Sequence, residues 1–130
     1  MVDRARGDLR LRRLEDDAVI CEDVTLGESF WHRFMGLMGR ASLADGEGLY
    51  LPTSSIHMMF MRFAIDALFL TDPAPDGTRR VVGLREHVPP WRGVVLPVRG
   101  ARGVVEMAAG RLAAHGVQVG DQVVLEVRAG

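Results

Sequence analysis

At 130 residues the chain suits a single domain, spanning 1–130, that buries enough surface to fold without a disulfide or metal staple. It is 48% hydrophobic and 25% charged with a formal net charge of -1, so nothing in its overall field attracts nucleic acid or an anionic membrane. A lone cysteine, Cys21, excludes an intramolecular disulfide and a thiolate cluster, and the absence of lysine among its 16 basic residues excludes lysine Schiff-base and general-base chemistry.

The N-terminus, Met1 to Arg13, is strongly charged and has no apolar core of the kind a secretion signal carries. No apolar run approaches the ~18 residues of a membrane span, and a cytoplasmic location is expected. Residues 1–8 are expected to fray. Leu9-Arg10-Leu11-Arg12 alternates as an edge strand does, and Val19 to Val24 reads as a second strand containing a buried Cys21. Thr25-Leu26-Gly27-Glu28 has the form of a capping box, with Thr25 as the cap of a main helix over about 26–39. Its apolar stripe would be Leu26, Phe30, Phe34, Leu37 and Met38. Arg33, Gly36 and Arg40 fall beside that stripe. They are either a solvated helix edge with snorkelling arginines or a backbone surface left open for a ligand or a close-packed strand.

Beyond the helix the pattern turns to strands. Gly48 to Leu51, Ile56 to Met61 and Ile65 to Leu70 are short and apolar, the last two interrupted by His57 and Asp66. Thr71 to Thr78, with two prolines and Asp76-Gly77, reads as a turn-rich loop, so Val81 to Leu84 would return as a hairpin on Ile65–Leu70. Gly103 to Met107 is a further strand, a short helix occupies about 110–115 with Gly116 closing it, and Gly120-Asp121 turns into a last strand, Gln122 to Val127. This is an α+β pattern: a strand-rich single domain with a mixed or mainly antiparallel sheet forming a partly closed barrel, one main helix and one short one.

Charges inside apolar strands point to chemistry, because an unpaired buried charge is costly. His57, Asp66 and Glu106 are such residues, and arginines are the available partners. They form either structural ion pairs, as expected for Glu106, or one polar pocket where His57, Asp66 and arginine meet. A triad of Ser54 or Ser55 with His57 and Asp66 lacks the nucleophile-elbow glycines. The histidines, His32, His57, His87 and His115, lack zinc-ligand spacing, and Met58 and Met59 would point to opposite faces of a strand, as core methionines rather than copper ligands. No metal and no cofactor are expected.

Several of these segments together resemble a known family. Arg33-Phe34-Met35-Gly36-Leu37-Met38-Gly39-Arg40 precedes Gly46-Glu47-Gly48-Leu49. Ser55-Ile56-His57-Met58-Met59-Phe60-Met61-Arg62-Phe63-Ala64-Ile65-Asp66, Pro90-Trp91-Arg92, Glu106-Met107-Ala108-Ala109-Gly110 and Gly116-Val117-Gln118-Val119-Gly120-Asp121 follow in order. Over about residues 19–127 the chain is similar to the family called domain of unknown function 192. The resemblance implies a compact strand-rich α+β domain and no particular activity. The matching positions are Arg33, Gly36, Leu37, Met38, Arg40, Gly48, His57, Met61, Arg62, Ile65, Asp66, Glu106, Gly110, Gly120 and Asp121. Family members are often exported. Ala64 stands where the family usually has proline, and Met35, Met58 and Met59 are not pattern methionines.

The leading expectation is a small binding module, monomeric or weakly dimeric, for an anionic small molecule or a peptide. Arg33, Gly36, Arg40, His57 and Asp66 would bind it, since arginine offers anions two parallel hydrogen bonds. The alternatives are a hydrolytic enzyme using His57 and Asp66 as acid and base, and a structural or interaction protein without a small-molecule ligand.

Overall fold

Alternating and continuous apolar runs become nine strands among the described residues, and one short helix joins them. The computed structural model describes residues 9–26, 42–58 and 61–128. In chain order the strands are β1 (Leu9–Arg13), β2 (Val19–Leu26), β3 (Glu47–Leu51), β4 (Ile56–His57), β5 (Ile65–Leu70), β6 (Thr78–Val88), β7 (Val94–Val95), β8 (Gly103–Ala108) and β9 (Gln122–Val127). The helix, α1 (Arg111–Ala114), lies between β8 and β9, and Gly116 follows it at a φ of 59° as the sequence signals.

Seven strands close into a barrel in the order β1-β2-β3-β8-β5-β6-β9, with β9 returning to β1, so no barrel strand is left with an open edge. Every pairing is antiparallel except β2 with β3, which run parallel from Asp23↔Glu47 to Leu26↔Tyr50. The remaining strands, β4 and β7, pair antiparallel as a separate ribbon. The fold is thus the expected strand-rich α+β domain, and its barrel is fully closed.

Two cores result. The lumen holds Leu11, Ile20, Cys21, Val24, Leu68, Leu70, Val81, Val105, Met107 and Val123, with Leu112 of α1 among them. Gly48 leaves room there: a Cβ at that position would lie 3.2 Å from Val105 and 3.4 Å from both Cys21 and Val24. Gly103 is required for the same reason, because a Cβ would strike the Tyr50 ring. Burial pushes the Cys21 thiol up to about 12, so it packs as a small hydrophobe. The second core lies outside the barrel wall. Leu49, Leu51, Ile65, Ala67, Phe69 and Val104 on the wall pack with Ile56, Met58, Met61, Val88, Val95 and Ala101. β5 is therefore buried at all six positions, which is why its sequence, Asp66 apart, is apolar throughout rather than alternating.

Charges seal the outside. Glu126 on β9 accepts from Arg10 Nε at 2.6 Å and from Arg12 Nε at 2.9 Å on β1, and these arginines hold its carboxyl down at about 2. At one end of the barrel Arg13 pairs with Asp16 at 2.9 Å and with Asp121 at 3.5 Å, so the Gly120-Asp121 turn is tied to β1.

One expectation fails. Thr25 does not cap a helix: it lies inside β2, opposite Leu49 of β3. The Thr-x-x-Glu spacing satisfies the capping rule, but the ladder to β3 takes Thr25 and Leu26 first. The main helix expected over about 26–39 otherwise lies outside the described residues, as do residues 1–8.

Candidate functional site

Asp66 and Glu106 are both buried, on opposite faces of the barrel wall. Asp66 shares the lumen face with Leu68 and Leu70 and stands opposite Met107. It is fully buried, and its two oxygens accept three backbone N–H groups. Oδ1 takes His87 N at 2.9 Å, and Oδ2 takes Gly110 N at 3.1 Å and Leu112 N at 2.9 Å. Each bond has a local reason. β6 slips register between the partners of Ile65 and Ala67, which places a bulge opposite Asp66 and His87 at a φ of 52°. Gly110 begins α1 with no side chain to cap it, so Asp66 supplies the acceptor from another strand. Asp66 therefore clamps a bulge and a helix start. It is not the solvent-facing ligand contact that the sequence suggested, and its partners are amides rather than arginine.

Glu106 points the other way. It has the parity of Val104, which packs in the outer core, while Val105 and Met107 fill the lumen. Its cross-strand neighbours are Leu49 on β3 and Ala67 on β5, both in that outer core. Cross-strand neighbours share a face, so Glu106 lies on the outer face of the wall, between Leu49 and Ala67. Glu106 is 7% exposed. Among the described residues no arginine or other donor reaches it, and the ion pair expected from the sequence is not found there. Burial alone pushes its carboxyl up to about 7, because desolvation penalises the charged form.

The remaining candidates are placed as follows. His57 lies in β4 opposite Val94, so its backbone is part of the ribbon over the outer core; its side chain lies outside the described parts of the structure. Arg33, Gly36 and Arg40 also lie outside the described residues. Asp66 and the ribbon carrying His57 are on opposite sides of the β5 wall, since Ile56 and Met58 pack with Ile65, Ala67 and Phe69 and not with the lumen. The charge inside Val104-Val105-Glu106-Met107 marks Glu106 in the sequence, and the arginine expected beside it is not found among the described residues. Nothing in the sequence distinguishes it from Asp66, because both are single acids in apolar strands. Among the described residues no three His, Cys, Asp or Glu side chains gather as a metal site requires, and no helix is long and apolar enough to cross a membrane.

Comparison with known proteins agrees with this architecture. The DUF192 family model, described as an uncharacterised ACR, matches residues 12–125. A UPF0127 protein of Thermococcus sibiricus is 34% identical over 109 residues, covering 80% of this chain and 66% of its own. A UPF0127 protein of Pyrococcus furiosus is 37% identical over 105 residues, covering 78% of this chain and 84% of its own. The chain thus spans just under two thirds of the first relative's length. Two crystal structures share the fold. One, a Sinorhizobium meliloti protein whose name suggests a transcription regulator, has a TM-score of 0.72 at 23% identity and covers 96% of this chain and 97% of its own. The other, a Novosphingobium aromaticivorans protein of unknown function, has a TM-score of 0.70 at 22% identity and covers 91% of this chain and 84% of its own. At that identity they speak for the fold alone.

Proposed function

The chain belongs to the DUF192 family, whose description assigns no activity, and from that premise we propose that it is a small binding module with its site on the outer barrel wall at Glu106. The ligand presents a hydrogen-bond donor to that carboxyl from beneath the β4–β7 ribbon. A peptide amide or an amine fits this chemistry. The observation that carries the reading is Glu106 itself: a buried acid between Leu49 and Ala67 with no donor among the described residues. A wall that served stability alone would carry an apolar residue there, since replacing buried charge by well-packed apolar groups is often stabilising. The anionic guest suggested by Arg33 and Arg40 rests on residues outside the described set, whereas the described wall offers an acid. The hydrolytic alternative needs an available Asp66, and that side chain is committed to three backbone amides.

A thermal-shift screen with primary amines, N-acetyl amino-acid amides, phosphate and simple carboxylates tests the reading. A ligand that binds the native state at 100 times its Kd stabilises by about 2.7 kcal/mol. The amines or amides are expected to raise the melting temperature of the wild type and not of Glu106→Met. A shift with anions only, or an equal shift in both proteins, contradicts it.

A further inference from the structure

The β4–β7 ribbon has a second surface, independent of Glu106. β7 buries Val95 in the outer core but leaves Val94 and, just beyond it, Leu96 at 63% and 76% exposed, with Trp91 at 56%. Large apolar side chains clustered this closely on an exposed surface mark an interaction site more often than isolated ones do. The backbone beneath them is held in place. Met58 N donates to Gly93 O at 2.8 Å, Trp91 N to Met58 O at 2.9 Å and Val98 N to Ser54 O at 2.8 Å.

Those bonds also orient β7. Gly93 and Val95 face β4, so in an antiparallel ribbon the backbone groups of Val94 and Leu96 point to the opposite edge. Among the described residues no strand pairs with that edge. An open edge with exposed apolar side chains is a template for another strand. Charge narrows the partner. From Val88 to Val105 the chain has no acidic residue, while Arg92, Arg99 and Arg102 are all exposed. Arg102 faces Asp72 at 3.9 Å; Arg92 and Arg99 meet no acid among the described residues.

We infer that the outer edge of β7 docks an extended peptide of alternating acidic and apolar residues, which adds as a strand beside Val94 and Leu96 in the field of Arg92 and Arg99. Strand addition supplies main-chain hydrogen bonds, and the side chains select the partner. A membrane surface fits less well, because hydrocarbon cannot satisfy the edge N–H and C=O groups.

Fluorescence anisotropy with a short labelled Glu-Val repeat peptide, and a Lys-Val repeat as its control, tests the inference on the full chain. The Glu-Val peptide binds, more weakly as salt rises, and the Lys-Val peptide does not. Arg92→Glu combined with Arg99→Glu weakens binding by about tenfold or more, and Val94→Pro, which removes an edge N–H, abolishes it. Circular dichroism confirms that the arginine variant keeps its fold, so its loss of binding reads on the surface. Glu106→Met leaves this binding unchanged, which separates it from the wall site. Absence of Glu-Val binding, equal binding of both peptides, capture by phosphatidylglycerol vesicles in place of the peptide, or a dimer that occupies the edge would overturn the inference.

Discussion

Asp66 and Glu106 are chemically alike, both sit in apolar strands, and they make opposite demands on the fold. Asp66 satisfies three backbone donors from β6 and α1. Its replacement by alanine strands those donors in the lumen end, and a loss of roughly 3–5 kcal/mol in urea unfolding is expected. Asp66→Asn keeps one carbonyl oxygen and should lose less; an unchanged midpoint in both variants would remove the clamp. Glu106 behaves in the reverse sense. Its carboxyl rises from an ordinary 4.5 to about 7 on folding, a penalty on the order of 3 kcal/mol once it is charged. Between those values the folded state binds more protons than the unfolded state, so stability falls as pH rises from about 4.5 to about 7. Glu106→Met should therefore melt higher than the wild type at pH 8, with the gap closing toward pH 4.5. A gap of the same size at both pH values would mean that charge burial is not its cause. The sequence marks both acids as anomalous, because charge inside an apolar run is visible. It cannot say which faces the lumen, since that depends on where the backbone donors of a distant bulge and helix arrive.

At the level of elements, local pattern and long-range pairing part company at β2. Val19 to Val24 is legible as a strand from its composition, yet the strand continues through Thr25 and Leu26 because β3 pairs with them. Local spacing favours a cap; the parallel ladder, formed across a long connection, prevails. The helix at 111–114 and its closing Gly116 are legible because their signals are local. Steric demands at strand crossings are not. Gly103 is a case in point: its missing side chain accepts the Tyr50 ring across the β8–β3 region. Gly103→Ala is expected to lose about 2 kcal/mol by overpacking. In a Tyr50→Ala background the same change should lose far less, a coupling that a double-mutant cycle with chemical unfolding reads directly. Additive losses would show that the two residues do not meet.

Across the whole molecule, closure of the barrel explains how a small domain supports two cores. The lumen is filled by inward residues of all seven strands and plugged by Leu112, while the outer face of β3, β8 and β5 is covered by the β4–β7 ribbon. The α+β class and most of the strands follow from runs of apolar residues between turn signals, so they are readable in one sequence; the two-residue β7 (Val94–Val95) is too short to leave such a run and is not. The order of strands and the closing β1–β9 pairing join the two ends of the chain, and no local signal encodes that. The division into two faces separates Asp66, tied to three backbone amides, from Glu106, which meets no donor among the described residues. A carboxyl-selective NMR titration of Glu106, with the side chain labelled at its terminal carbon, tests this most directly. A midpoint near 7 is expected in the free protein, moving down when an amine or amide ligand donates to the carboxylate. A midpoint in the ordinary range around 4.5, unmoved by any ligand, would show that Glu106 is solvated or already paired and would contradict a binding site on the wall.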